Sequence, residues 1–66
     1  MRATITLFDA KRGDGELESE NGQLYWFHCV EIADGSRDID VGVAVDMVPR
    51  VGLRGRDEAS QIHKVN

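Results

Sequence analysis

The chain has 66 residues, a net charge of −4, 41% hydrophobic and 30% charged residues, and one cysteine. A unit this small buries only roughly 60% of the surface its unfolded chain exposes, so one domain spanning 1–66 is expected, with little core to spare for a deep catalytic cleft. Its 12 Asp plus Glu against 8 Lys plus Arg argue against indiscriminate polyanion binding. The single cysteine, Cys29, excludes an internal disulfide and favours a reducing, cytoplasmic setting. The opening Met1–Ala10 carries neither the apolar run nor the cleavage site of a secretion signal. No stretch approaches the ~20 apolar residues of a membrane span, so no membrane association is expected.

Thr4 to Phe8 is a β-branched and apolar run that predicts a first strand. It gives way to Asp9-Ala10-Lys11-Arg12-Gly13-Asp14-Gly15, a charged turn. Glu16 to Glu20 alternates, with Leu17 as the inward residue. Asn21-Gly22 then signals a two-residue type I′ hairpin. Leu24 to Val30 makes a third strand, with Tyr25 and Phe27 on one face and Trp26 and His28 on the other. After the polar break Asp34–Asp38, the residues Ile39, Val41, Val43, Val45 and Met47 alternate at period two and predict a fourth strand. Pro49 should stop it, because proline cannot donate to a ladder. Arg50 to Asp57 reads as a glycine- and arginine-rich loop, and Ala59 to Val65 as a last, shorter strand. No segment carries a helical apolar stripe. Five short strands predict an all-β fold, an antiparallel sheet closed into a small barrel. An open sheet of that size would leave its edges unpaired and one apolar face uncovered.

In order and spacing these segments resemble a cold-shock domain, the five-stranded OB-fold barrel that binds single-stranded DNA and RNA. Ile5-Thr6-Leu7-Phe8 followed by Arg12-Gly13-Asp14-Gly15-Glu16-Leu17 is similar to the family's first strand and first motif. Tyr25-Trp26-Phe27-His28-Cys29 with Ile32 is similar to the second motif. Ile39, Gly42 and Val45 stand at the spacing of the family's fourth-strand motif, and Arg56 to Ile62 resembles a worn version of its last. The resemblance covers nearly the whole chain. It implies an antiparallel OB-fold barrel with core residues Ile5, Leu17, Tyr25, Phe27, Ile32, Val45 and Ile62.

The departures fall on the surface. In the family, exposed aromatics on the first three strands stack on successive bases. At the matching positions this chain has Leu7 for tryptophan, Asp14 and Glu16 for two phenylalanines, and Cys29 for a third. Only Trp26 and His28 remain of the stacking surface. Each base–aromatic stack is worth ~1–3 kcal/mol, so binding weaker than the family's is implied. Asp14 and Glu16 also place carboxylates where a phosphate chain would pass.

The candidate nucleic-acid-binding residues are therefore Trp26 and His28 for stacking, Leu7 as a flat apolar neighbour, and Lys11, Arg12, Arg54 and Arg56 for phosphates. Arg50, Arg54 and Arg56 place three positive charges within seven residues before the last strand. Against these stand simpler readings: Trp26 covering a loop, His28 without a task, and the charged loops merely solvated. Glu16, Glu18 and Glu20 read as a solvated outward row. Cys29 and His28, adjacent in a strand, should point to opposite faces and form no nucleophile–base pair. Asp34, Asp38 and Asp40 lack calcium-loop spacing, and Cys29, His28 and His63 are too few for zinc. No cofactor, metal or catalytic activity is expected. The expected partner is single-stranded DNA or RNA, bound weakly or in a specialised way by an acidic monomer. The alternatives are a degenerate barrel binding a protein through Leu7 and Trp26, or a dimer.

Overall fold

A computed structural model describes residues 1–52 and 55–65. Its strands are β1 (Arg2–Asp9), β2 (Asp14–Ser19), β3 (Leu24–His28), β4 (Ala44–Val51) and β5 (Asp57–Lys64), with one turn of 3₁₀ helix at Cys29–Glu31. They close into a barrel in the order β1-β2-β3-β5-β4. Four neighbouring pairs are antiparallel, but β3 meets β5 in parallel, at Trp26 and Glu58, with a further parallel bridge between Ile32 and Ile62. The expected all-antiparallel sheet is corrected here, and the reason is arithmetic. Strand direction cannot alternate throughout a closed ring with an odd number of members.

The core is built from the inward faces of all five strands: Ala3, Ile5, Leu17, Tyr25, Phe27, Val45, Met47, Ala59 and Ile62, with Ile32 and Ile39 from the connections. Each of the seven residues expected there is buried. Phe8 stacks on Phe27 at 6.1 Å with nearly parallel rings, a contact made available by an irregularity in β1. The register passes from Ile5↔Leu17 to Leu7↔Glu16, leaving Thr6 as an extra residue. Strict alternation from Ile5 would turn Leu7 inward. The bulge instead exposes both Thr6 and Leu7 and returns Phe8 to the core.

The hairpin between β2 and β3 is not type I′. Gly22 has positive φ and Asn21 does not. The Gly22 N–H donates to the Ser19 carbonyl, and Ser19 and Gln23 close the loop. Asn21 instead uses its side chain, whose Oδ1 accepts from the Ser19 hydroxyl and from the Gln23 N–H. The fourth strand also shifts: Ile39 to Val43 is connection, and β4 begins at Ala44. Ile39 is buried there as a plug, whereas Val41 is 63% exposed. Pro49 does not stop the strand but lies within it, paired with Ala59. β1 flanks β4 only along Ala44–Asp46, so β4 has an open side at Pro49, where a missing N–H is tolerated.

The long β3–β4 connection is anchored to β5 by charge. The Lys64 Nζ lies 3.0 Å from the Asp34 carboxylate, and the Ser36 N–H donates to Asp34 Oδ1 at 2.8 Å. Hydrogen bonds from Ser36, and then Lys64, hold the Asp34 carboxyl at about 2, below its ordinary 3.8. A depressed carboxyl contributes its stability above the ordinary value and loses it as pH falls through the folded one. An NMR titration should find the Asp34 midpoint near 2, and Ser36→Ala and Lys64→Ala should each move it toward 3.8.

Gly15 lies opposite Phe8 in the β1–β2 pair, with no room for a side chain. A Cβ there would meet the Leu7 carbonyl oxygen and stand 3.0 Å from the Phe27 ring. Gly15→Ala should therefore cost about 2–3 kcal/mol of stability through overpacking, read as a lower urea midpoint. An unchanged midpoint would mean that the two strands separate freely.

Candidate nucleic-acid interface

Outward residues of the first three strands form cross-strand rows. Leu7 pairs with Glu16, Glu16 with Trp26, and Trp26 with Glu58, which in turn pairs with Arg50. The rows on either side are Asp9–Asp14–His28 and Thr4–Glu18–Leu24. The middle column of this face is therefore Asp14, Glu16 and Glu18. It is flanked by exposed Leu7 on one side and by Leu24, Trp26 and His28 on the other.

Trp26 is half-buried at the centre. Its indole and the His28 ring meet in an edge-on arrangement, their centroids 6.3 Å apart at 64°. The Arg56 guanidinium carbon stands over the indole, 5.2 Å from its centroid, within cation–π range. Leu7, Arg12, Asp14, Glu16, Trp26 and Arg56 line a depression of about 130 Å³. A second one, of about 200 Å³, opens on the other side of the indole along Glu16, Leu24, Tyr25, Trp26 and Arg56.

Several polar groups here are held by neighbours. Arg12 Nη2 is 3.1 Å from Asp14 Oδ2, so its charge is partly spent within the site. Lys11 is exposed in the β1–β2 turn and forms no ion pair among the described residues. That turn is organised by Asp9, whose Oδ1 accepts the N–H groups of Lys11 and Arg12. His28 caps the 3₁₀ turn, its Nδ1 accepting the Val30 N–H at 3.3 Å. In the neutral ring the proton is therefore on Nε2, which is left as a donor.

Leu7, Arg12, Trp26 and Arg56 are brought together as expected, with His28 beside them and Lys11 one residue away from Arg12. Arg54 lies outside the described residues. Arg56, expected at a phosphate, instead covers the indole. Arg50 does not belong to the loop. It sits in β4, its Nη2 3.3 Å from Glu31 and its Nε 3.4 Å from Glu58. Glu16 faces outward as expected but is half-buried beside Trp26 rather than fully exposed, and its carboxylate has no hydrogen-bond or ion-pair partner among the described residues. Cys29 does not occupy the outer face, because the chain leaves β3 at His28 and turns Cys29 into the core. Its sulfur stays 3.9 Å from His28 Nδ1 despite the opposite faces expected of strand neighbours. Leu24, 54% exposed, belongs to the face and was legible from its alternation with Trp26 and His28. The Arg50–Glu58–Glu31 cluster carried no local signal.

No family model matches the chain. The structure superposes on the cold-shock-domain structure of Drosophila Unr, CSD456, with a TM-score of 0.80 and 27% identity. The match covers 98% of this chain and 26% of that one, so the chain spans about a quarter of the Unr structure's length. Strand order, closure and this likeness together define an OB-fold barrel. The domain is cold-shock-like.

The Arg56–Trp26 contact can be tested directly, because Trp26 is the single tryptophan. Arg56→Ala should red-shift indole emission and raise acrylamide quenching. The stability loss should stay near ~0.5–1 kcal/mol, as for an exposed cation–π pair. Unaltered quenching would show that the guanidinium does not shield the ring in solution.

Proposed function

We propose that this domain is a non-catalytic, cytoplasmic binder of single-stranded DNA or RNA, with weaker affinity than a full aromatic face would give. The observation that supports this reading most is the position of Trp26. It stands half-exposed at the centre of the outer face of a cold-shock-like barrel, with Leu7 and His28 beside it and Arg12 and Arg56 around the same depression. Trp26 offers a stacking surface, His28 Nε2 a donor, and Lys11, Arg12 and Arg56 charges for the phosphate chain. The reading includes weakness because Asp14, Glu16 and Glu18 run through the same face and repel a polyanion.

That carboxylate column also favours a second reading. Exposed Leu7 and Leu24 flanking Asp14, Glu16 and Glu18 make a surface on which a protein partner could dock through the Leu7/Trp26 face. Salt separates the two. Single-strand binding loses affinity with a log–log slope of about −0.7 per neutralised phosphate, whereas apolar docking is nearly indifferent to salt.

A short mixed-sequence DNA strand should quench Trp26 to saturation. The salt slope should be about −2 if Lys11, Arg12 and Arg56 each meet a phosphate. Measured by anisotropy of a labelled strand, Trp26→Ala should weaken binding by ~1–3 kcal/mol, and Arg56→Glu should flatten the slope. Absence of quenching up to high strand concentration would overturn the nucleic-acid reading and leave the protein-docking one.

A further inference from the structure

The group now lying on Trp26 shows what chemistry that position accepts. Arg56 places a planar guanidinium over the indole. Glu16 is the direct cross-strand neighbour of Trp26 and shares both depressions with the indole and Arg56. A flat group in this place can cover the indole and offer N–H donors to the half-buried Glu16 carboxylate, which borders the same depressions and forms no ion pair with Arg56 or any other described residue. Among the nucleobases, guanine alone carries that pattern. Its N1–H and N2–H₂ form part of a planar guanidine unit and present two adjacent donors to one carboxylate. Thymine and uracil present a single N–H between two carbonyl oxygens, which a carboxylate repels. Cytosine and adenine place a ring acceptor beside their amino group.

We propose that Trp26 and Glu16 form a guanine-selective subsite. The base stacks on the indole in place of the Arg56 guanidinium, and its N1–H and N2–H₂ donate to the Glu16 carboxylate. This rests on the reading of the face as a single-strand binder and names the base it selects. Arg56, displaced from the ring, becomes available to a phosphate of the same strand, which restores the role its charge suggests. Asp14 does not compete for the base, because its carboxylate is taken by Arg12 at 3.1 Å. Glu18 lies one row away, opposite Leu24.

The test uses the intact chain and labelled short thymidine strands that differ at one central position. A bidentate base contact carries enough discrimination that the guanine strand should bind about ten-fold tighter than the all-thymidine strand. Hypoxanthine at that position, which keeps N1–H but lacks the N2 amino group, should lose most of the gain. Glu16→Gln should bring the guanine-to-thymine ratio close to one, by weakening the guanine strand while the all-thymidine strand binds no worse, since a repelling charge is removed. A merely structural Glu16 would lower all affinities together and leave the ratio intact. Equal binding of guanine and thymine strands, full retention by hypoxanthine, or an unchanged ratio in Glu16→Gln would each overturn the guanine subsite while leaving single-strand binding in place. Failure of every strand to bind would instead overturn the nucleic-acid reading, and the subsite with it.

Discussion

The parallel contact between Trp26 and Glu58 is the constraint on which both the barrel and its outer face depend. A ring of five strands must contain one parallel neighbour pair, and a parallel pair cannot be joined by a short hairpin. The chain meets this requirement by leaving β3 through the 3₁₀ turn, crossing to β4 and returning along β5. The seam is short, one strand pair and the Ile32–Ile62 bridge. The cohesion there comes from buried Phe27, Ile32 and Ile62 rather than from backbone pairing. Charge only trims it: Arg50 joins Glu58 of β5 to Glu31 of the 3₁₀ turn, an exposed cluster of the kind that adds little by itself. The seam also has a chemical consequence. Arg56 precedes Glu58 by two residues, so pairing Glu58 with Trp26 delivers the guanidinium to the indole.

Two local irregularities decide what the face presents. The bulge at Thr6 turns Leu7 outward and sends Phe8 inward onto Phe27, so one extra residue serves the surface and the core together. Gly15, beneath Leu7 and against Phe27, lets the bulged strand approach without a side chain between. Where β3 ends, His28 turns its Nδ1 back to cap the next segment. That leaves one ring nitrogen for solvent, and Cys29 drops into the core.

Much of this could be read in the sequence, because a barrel enforces the side-chain alternation of its strands. Tyr25 and Phe27 against Trp26 and His28, and Leu17 against Glu16 and Glu18, divide inside from outside correctly. The parallel seam was not expected, because side-chain alternation within each strand says nothing about strand direction, although a closed ring of five requires it. The fourth strand misled because Ile39 to Met47 alternates perfectly while the chain is still in connection until Val43. Ile39 is apolar since it plugs the barrel, and Gly42, at φ 95°, breaks the extended path. Pro49 misled because the rule against proline applies where a strand is flanked on both sides, and β4 is open there. At the site, the members of one face were legible. The stacking of Arg56 on Trp26 was not, because it joins residues thirty positions apart through a closure that no local pattern encodes.

The balance of charge on this face sets the kind of recognition it can support. A surface lined with lysine and arginine gains affinity from every phosphate it neutralises, whatever the sequence, and that affinity is lost to salt. Here Arg12 is tied to Asp14 and Arg56 rests on Trp26, so most of the local positive charge is already engaged. A strand approaching the face would meet net repulsion at long range and attraction only at contact. Under that condition sequence-independent binding is suppressed more than base-dependent binding, because stacking and edge hydrogen bonds act at contact distance. On the proposed reading, the carboxylates that oppose a polyanion in general are also the groups placed to discriminate among bases at contact.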